Sequence, residues 1–162
     1  QTFPLQAMVS QPFKPFIKTI VRSSALHCYV QQTSRGEIVF GGGSDPYPLY
    51  NTRSTLDLKE SLLAHAIEMF PFMANVKLMR QWAGMTDMTP DYSPIMGKSP
   101  YDNYYLDAGW GTWGFKSTPI CGKTMAELVA TGRTPDLIKP FELSRFSRFQ
   151  QVNEMGATAA SH

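Results

Sequence analysis

The residues best suited to chemistry lie together in Asp107-Ala-Gly-Trp-Gly-Thr-Trp-Gly-Phe-Lys116. Glycines at 109, 111 and 114 open backbone conformations closed to other residues and let main-chain N–H groups approach a bound group without a Cβ in the way. Trp110, Trp113 and Phe115 supply flat apolar walls, and Lys116 puts a cation at the rim. The stretch follows a strand-like run over 103–108 and leads into a helical pattern through Ala130. It therefore reads as a strand, a glycine turn and a helix N-terminus. The positive end of that helix favours a negative or electron-rich atom at the turn.

A flavin ring needs all of these features, because its N1/C2=O edge becomes negative on reduction and its faces must be kept dry. A glycine turn packed by tryptophans, with Lys116 simply solvated, uses the same residues without a ligand. Spacing alone does not separate the two readings.

The elements around the turn follow from pattern. Leu5–Val9 reads as a short strand, Pro12 and Pro15 interrupt, and β-branched character resumes over 16–21. Residues 25–32 read as a strand carrying His27, Ser34-Arg-Gly-Glu37 as a tight turn and 37–40 as the returning strand, so that 25–41 form a β-hairpin. Successive hairpins imply an antiparallel sheet. Gly41-Gly-Gly43 is either a flexible strand end or a place kept free of side chains where a ligand passes. After a loop over 45–53, Ser54 or Thr55 caps a helix whose Leu58, Leu62, Ala66 and Met69 keep helical spacing until Pro71. Residues 76–83 read as a strand and 94–97 as another. Thr86, Met88 and Thr89, in the turn expected between them, either line a pocket or only shape that turn.

In the helix after Lys116, one side is expected to carry Ile120, Met125, Leu128 and Val129, with Gly122 and Ala126 allowing close packing. Pro119 is expected in the first turn and Gly132 as a left-handed cap. Phe141–Phe149 alternates basic and aromatic residues and reads as a packed strap or subunit contact, and 153–162 as a flexible tail or an arm that folds on a partner. The fold class is α+β.

Composition narrows the function. The 162 residues, 43% hydrophobic and 17% charged, suit one globular domain. A net charge of +2, with the basic residues dispersed, gives no footprint for nucleic acid. Cys28 and Cys121 lack metal-ligand spacing and read as reduced thiols in a cytoplasmic protein, with no metal. No apolar run has the length to span a bilayer, so no membrane partner is expected.

Two longer runs carry a resemblance. Arg80-Gln-Trp-Ala-Gly-Met-Thr-Asp-Met-Thr-Pro-Asp-Tyr-Ser-Pro-Ile-Met-Gly97 and Tyr104-Tyr-Leu-Asp-Ala-Gly-Trp-Gly-Thr-Trp-Gly-Phe-Lys-Ser-Thr-Pro-Ile-Cys-Gly122 resemble the flavoprotein family of D-amino acid oxidase and sarcosine oxidase, in its branch of heterotetrameric β subunits. Leu26-His-Cys-Tyr29, Ile38-Val-Phe-Gly-Gly-Gly43 and the tail Asn153–His162 fit the same pattern, so the resemblance covers essentially the whole chain. It implies a substrate domain with an antiparallel sheet and flanking helices over 1–90, the C-terminal strand, glycine turn and helix of an FAD-binding domain over 91–140, and a strap and tail over 141–162. The N-terminal dinucleotide-binding half is missing: no G-x-G-x-x-G follows an early strand, and a chain opening at Gln1 is expected to be the later part of a longer polypeptide.

The resemblance also implies cofactors and chemistry. FAD would be non-covalent, because Gly84 stands where monomeric members carry the cysteine that attaches it. FMN would be attached through a histidine outside this chain. The implied reaction oxidises sarcosine with hydride transfer to FAD, passes electrons to FMN and oxygen to give hydrogen peroxide, and delivers the one-carbon unit to tetrahydrofolate or as formaldehyde, in an assembly with α, γ and δ subunits. A dehydrogenase for another N-methyl or cyclic imino acid, or a non-catalytic interface fragment, is the alternative. Carried over to this sequence, Gly111, Thr112, Trp113, Gly114, Phe115 and Lys116 contact FAD, and His27 is a further candidate contact beside its reading as a packed or exposed histidine. Lys116 is the catalytic candidate. Its cation either stabilises developing superoxide or, where oxygen reacts at FMN, tunes FAD or binds substrate.

Overall fold

The computed structural model describes residues 1–152, so the arm or tail expected over 153–162 lies outside the described residues. Where length suggests one domain, the chain divides into two compact units, one running from Thr2 to Met85 and the other taking Gln1 with the described residues from Thr86 onward.

The first unit is built on strands β1 (Thr2–Pro12), β2 (Val21–Ser23), β3 (Cys28–Gln32), β4 (Glu37–Ser44) and the part of β5 (Leu78–Asp87) up to Met85, in the sheet order β2-β3-β4-β1-β5, with Thr86 and Asp87 already in the second unit. Antiparallel pairing sets Met8 and Val30 on either side of Phe40, and Gln32 opposite Ile38. Met8, Val30, Ile38 and Phe40 are all buried, and helix α1 (Leu56–Met69) covers them with Leu62 and Ala66. Each such large apolar side chain contributes about 1.5–3 kcal/mol when taken out of water.

α1 starts after Thr55, but the Thr55 hydroxyl does not cap it. It donates instead to Asp45 Oδ1 at 2.8 Å, while Gln6 Nε2 donates to Asp45 Oδ2 at 2.8 Å and Gln6 Oε1 accepts from the Thr55 N–H at 3.1 Å. This buried polar set fastens the loop before α1 to the middle of β1.

Three expected strands differ. The strand over 16–21 shrinks to Val21–Ser23, because the Gln32 side chain takes over the role of a neighbouring strand: its Oε1 accepts from the N–H groups of Phe16 at 2.8 Å and Ile17 at 3.0 Å. The strand over 25–32 begins only at Cys28, since His27 holds a left-handed φ of 46° in the turn that joins β2 to β3. β5 runs on to Asp87 through the expected turn at Gly84, carried by its place beside β1.

The His27 turn constrains its neighbour. Gly42 has φ 134°, and a Cβ there would press into the His27 carbonyl oxygen. Gly42→Ala is therefore expected to lower stability by roughly 2 kcal/mol or more, from the strained conformation together with the backbone collision. A urea midpoint equal to that of the parent protein would contradict this.

The second unit pairs β6 (Ile95–Lys98) with β7 (Tyr105–Ala108) and packs α2 (Gly114–Thr131) behind them. A 3-10 segment over Asp136–Phe141 and the short α3 (Ser144–Ser147) follow. Met96, Cys121, Leu128 and Ile138 form its core. The buried face of α2 is Cys121, Thr124 and Leu128, whereas Ile120 and Val129, expected on that side, are exposed. A Cβ on Gly122 would meet nothing, so no close packing depends on it. Pro119 lies inside the helix beyond its first turn. Gly132 closes α2 with φ 69°, as expected, and its N–H reaches the Leu128 carbonyl.

Candidate functional site

The site is assembled where β7 gives way to α2. Between Ala108 and Gly114 the chain must reverse within a few residues, and Gly109 (φ 72°) and Gly111 (φ 52°) supply left-handed corners that a side chain would oppose. A Cβ on Gly109 would sit 2.5 Å from Thr89 Cγ2, and one on Gly111 would sit 2.6 Å from Met88 Sδ. Trp110 is fixed from its own strand by an indole N–H bond to Asp107 Oδ1 at 2.6 Å.

α2 opens at Gly114 with Trp113 as its cap, and no side chain satisfies the cap position. The Trp113 N–H reaches the Trp110 carbonyl at 2.9 Å. The next three N–H groups, of Gly114, Phe115 and Lys116, belong to the first helical turn and have no intrahelical acceptor. Three converging donors at the positive end of an 18-residue helix form a receptor for an electron-rich edge. Thr112, Phe115 and Lys116 are exposed beside them, Phe115 almost completely at 94%. Lys116 has no ion-pair partner among the described residues. Trp110 and Trp113 border an apolar cavity of about 300 Å³ that continues along α2 past Ile120 and Cys121 to Phe141. Burial, joined by the charge of Asp107, pushes the Cys121 thiol up.

The chemistry of this donor set fits the ring edge of a flavin. Glycine corners permit close approach, uncapped N–H groups and Lys116 supply positive potential, and the indoles supply apolar surface. The expected residues 111–116 are thus consecutive and gathered at one corner. His27 belongs to the other unit. Its Nδ1 is buried without a hydrogen-bond partner among the described residues.

Two carboxylates escape the sequence reading. Asp87 accepts from the Gly109 N–H at 2.6 Å and the Gly111 N–H at 3.3 Å, and no local pattern announces a partner so far along the chain. Asp91 forms a buried, two-pronged ion pair with Arg145, Nε to Oδ2 at 2.7 Å and Nη2 to Oδ1 at 2.9 Å, both side chains 2% exposed. Arg145 also donates to the carbonyls of Ser93 and Phe141 at 2.8 Å, and its guanidinium lies over the Phe146 ring. The basic and aromatic alternation is therefore internal to this unit at Arg145, whose charge never reaches the surface.

Burial pushes the Asp91 carboxyl up, but hydrogen bonds from Arg145 and from the Val152 and Ser93 N–H groups, with the guanidinium charge, outweigh it and hold the group at about 2. A depressed folded-state value stabilises the fold above the unfolded carboxylate range and is lost as pH falls through the folded value. Between about pH 4 and pH 2 the second unit is expected to lose roughly 2 kcal/mol on this account. Urea titrations across that window should show the loss in the parent protein and a flatter profile in Asp91→Asn.

Among the described residues no helix is long and apolar enough to cross a membrane, and no three His, Cys, Asp or Glu side chains gather as a metal site.

Residues 2–128 match the family described as FAD dependent oxidoreductase. The chain is 42% identical over 162 residues to the sarcosine oxidase subunit beta of Arthrobacter sp, covering all of this chain and 40% of that one. It is also 42% identical over 162 residues to the subunit beta of Rhodobacter capsulatus, covering 39% of that protein. Among solved structures it resembles L-proline dehydrogenase from P. horikoshii at 29% identity and a TM-score of 0.87, over 93% of this chain and 41% of that one. The chain thus spans about two-fifths of the length of these relatives.

Proposed function

Because the chain belongs to the family of FAD dependent oxidoreductases, we propose that it is the flavin-ring and substrate side of an enzyme that oxidises a secondary amine, with sarcosine as the substrate. The observation that carries this reading is the uncapped start of α2 behind the left-handed Gly109 and Gly111, with Lys116 in the first turn. Bound FAD supplies the two-electron acceptor for amine oxidation. This chain supplies the surroundings. The N–H groups of Gly114, Phe115 and Lys116 hold the electron-rich edge of the ring, Trp110 and Trp113 keep water from it, and Thr112 lies at the rim. Lys116 keeps a cation where negative charge develops. Non-covalent attachment fits Gly84, which offers no thiol.

The substrate domain lies within residues 1–90 and the C-terminal part of the FAD-binding domain within 91–140, with the dinucleotide-binding half outside this sequence. The relatives' names as β subunits support an assembly with other subunits, for which we propose α, γ and δ partners. In that assembly the enzyme delivers electrons to oxygen by way of FMN attached outside residues 1–162, yields hydrogen peroxide, and hands the one-carbon unit to tetrahydrofolate or releases it as formaldehyde. It works in the cytoplasm.

The likeness to an L-proline dehydrogenase favours a second reading, a cyclic imino acid as substrate. One experiment serves both. The full-length protein is loaded with FAD, and its visible absorption is followed under anaerobic conditions on adding sarcosine or proline. Bleaching by sarcosine is expected. Bleaching by proline alone selects the second reading, and a protein that binds no FAD removes both.

A further inference from the structure

Asp87 ends β5 on a carboxylate that spans the turn before α2. Its Oδ2 accepts from the Gly109 N–H at 2.6 Å, its Oδ1 from the Gly111 N–H at 3.3 Å, and its main-chain carbonyl also accepts from the Gly111 N–H at 3.0 Å. The adjoining Met88 pairs with Trp110 as an isolated antiparallel bridge. The two residues held by Asp87 are the two with left-handed φ, and at both the space beyond is closed by Thr89 or Met88. The Gly109 and Gly111 donors are therefore turned inward and already engaged. The first-turn donors of α2, three residues further on, are the ones left to face outward.

No cation pairs with Asp87 among the described residues, and the side chain is exposed. Packing alone would not select a carboxylate here, since an exposed turn can be satisfied by water. What the side-chain oxygen adds is direction. Two acceptors on one residue, Oδ2 for the Gly109 N–H and the main-chain carbonyl for the Gly111 N–H, fix the relative orientation of the two peptide planes and so set the angle at which α2 begins.

Resting on the flavin reading of this turn, we infer that Asp87 is the positioning residue of the cofactor site: it orients the N–H groups of Gly114, Phe115 and Lys116 by clamping Gly109 and Gly111. It does not touch the cofactor and acts through the glycines. The clamp works mainly through the 2.6 Å bond to Gly109, which an asparagine oxygen can reproduce.

The test measures the FAD dissociation constant of the full-length apoprotein by flavin fluorescence, beside its melting temperature. Asp87→Ala is expected to raise the dissociation constant at least tenfold, and Asp87→Asn to return it to within about threefold of the parent. An unchanged constant in Asp87→Ala, whatever its melting temperature, overturns the assignment and leaves Asp87 a structural cap. Equal weakening in both variants overturns the clamp as well. A parent protein that binds no FAD overturns the flavin reading itself, so the two failures are distinct. Should Asp87→Ala not fold, Asp87→Ser, whose Oγ sits one bond closer to the main chain and falls short of the Gly109 N–H, takes its place with the same expected rise.

Discussion

Arg145→Met is expected to destabilise the second unit by about 3–5 kcal/mol, enough to unfold a domain of ordinary stability at moderate temperature. The loss comes less from the attraction removed than from what remains. Asp91, 2% exposed, would keep its charge with only the Ser93 and Val152 N–H groups and a shared Thr89 hydroxyl as donors among the described residues. The Phe141 carbonyl would lose its side-chain donor as well, and the Ser93 carbonyl would keep only the Thr89 hydroxyl among the described residues. Methionine nearly fills the arginine stem's volume, so the change isolates the polar part. Arg145→Lys should recover little, since an ammonium cannot make the two parallel bonds. The double variant Arg145→Met, Asp91→Leu should recover a large part, because a buried ion pair replaced on both sides by apolar groups is often neutral. Thermal melting of the three variants measures this, and a double variant no better than Arg145→Met would refute it.

Lys116→Met is expected to leave FAD bound at the parent level while lowering amine-dependent oxygen uptake of the full-length, assembled enzyme by about 10²–10³-fold, the effect of removing one oriented charge-stabilising donor. The fold should be indifferent. Lys116 is exposed in the first turn of α2, and methionine is nearly as good a helix former. Its N–H, the donor that faces the ligand, survives the substitution. The steady-state constants sort the roles. A fall in kcat places the cation where charge develops, a rise in KM alone places it on the substrate, and unchanged uptake makes Lys116 a solvated surface residue.

What was legible in the sequence is what is local. The glycine turn follows from Gly109 and Gly111, and the end of α2 from Gly132, because left-handed corners and caps are decided by the residue that occupies them. α1 follows from its stripe of Leu58, Leu62, Ala66 and Met69. The strands were legible in number but not in extent. Gln32 replaces a strand with one side chain, and β5 passes through Gly84, because each outcome depends on a neighbour that periodicity does not show. Within the site, the consecutive donors were visible, whereas the residues that hold them were not. Asp87 lies 22 positions from Gly109, and Asp91 lies 54 from Arg145. In sequence, the guanidinium that closes on Asp91 reads only as part of a packed strap or subunit contact.

The Asp91–Arg145 pair also bears on how the protein is made. A chain synthesised from its N-terminus at roughly 5–20 residues per second has β1 through β5 available once residue 87 has emerged, and the first unit can close around Phe40 and Leu62 at that moment. The second unit has to wait. Until Arg145 leaves the ribosome, Asp91 stays hydrated, and the Ile138 side of the core has nothing to settle against. For the several seconds in between, β6, β7 and α2 are translated but unsealed, which makes that interval the window in which a chaperone would find the nascent chain.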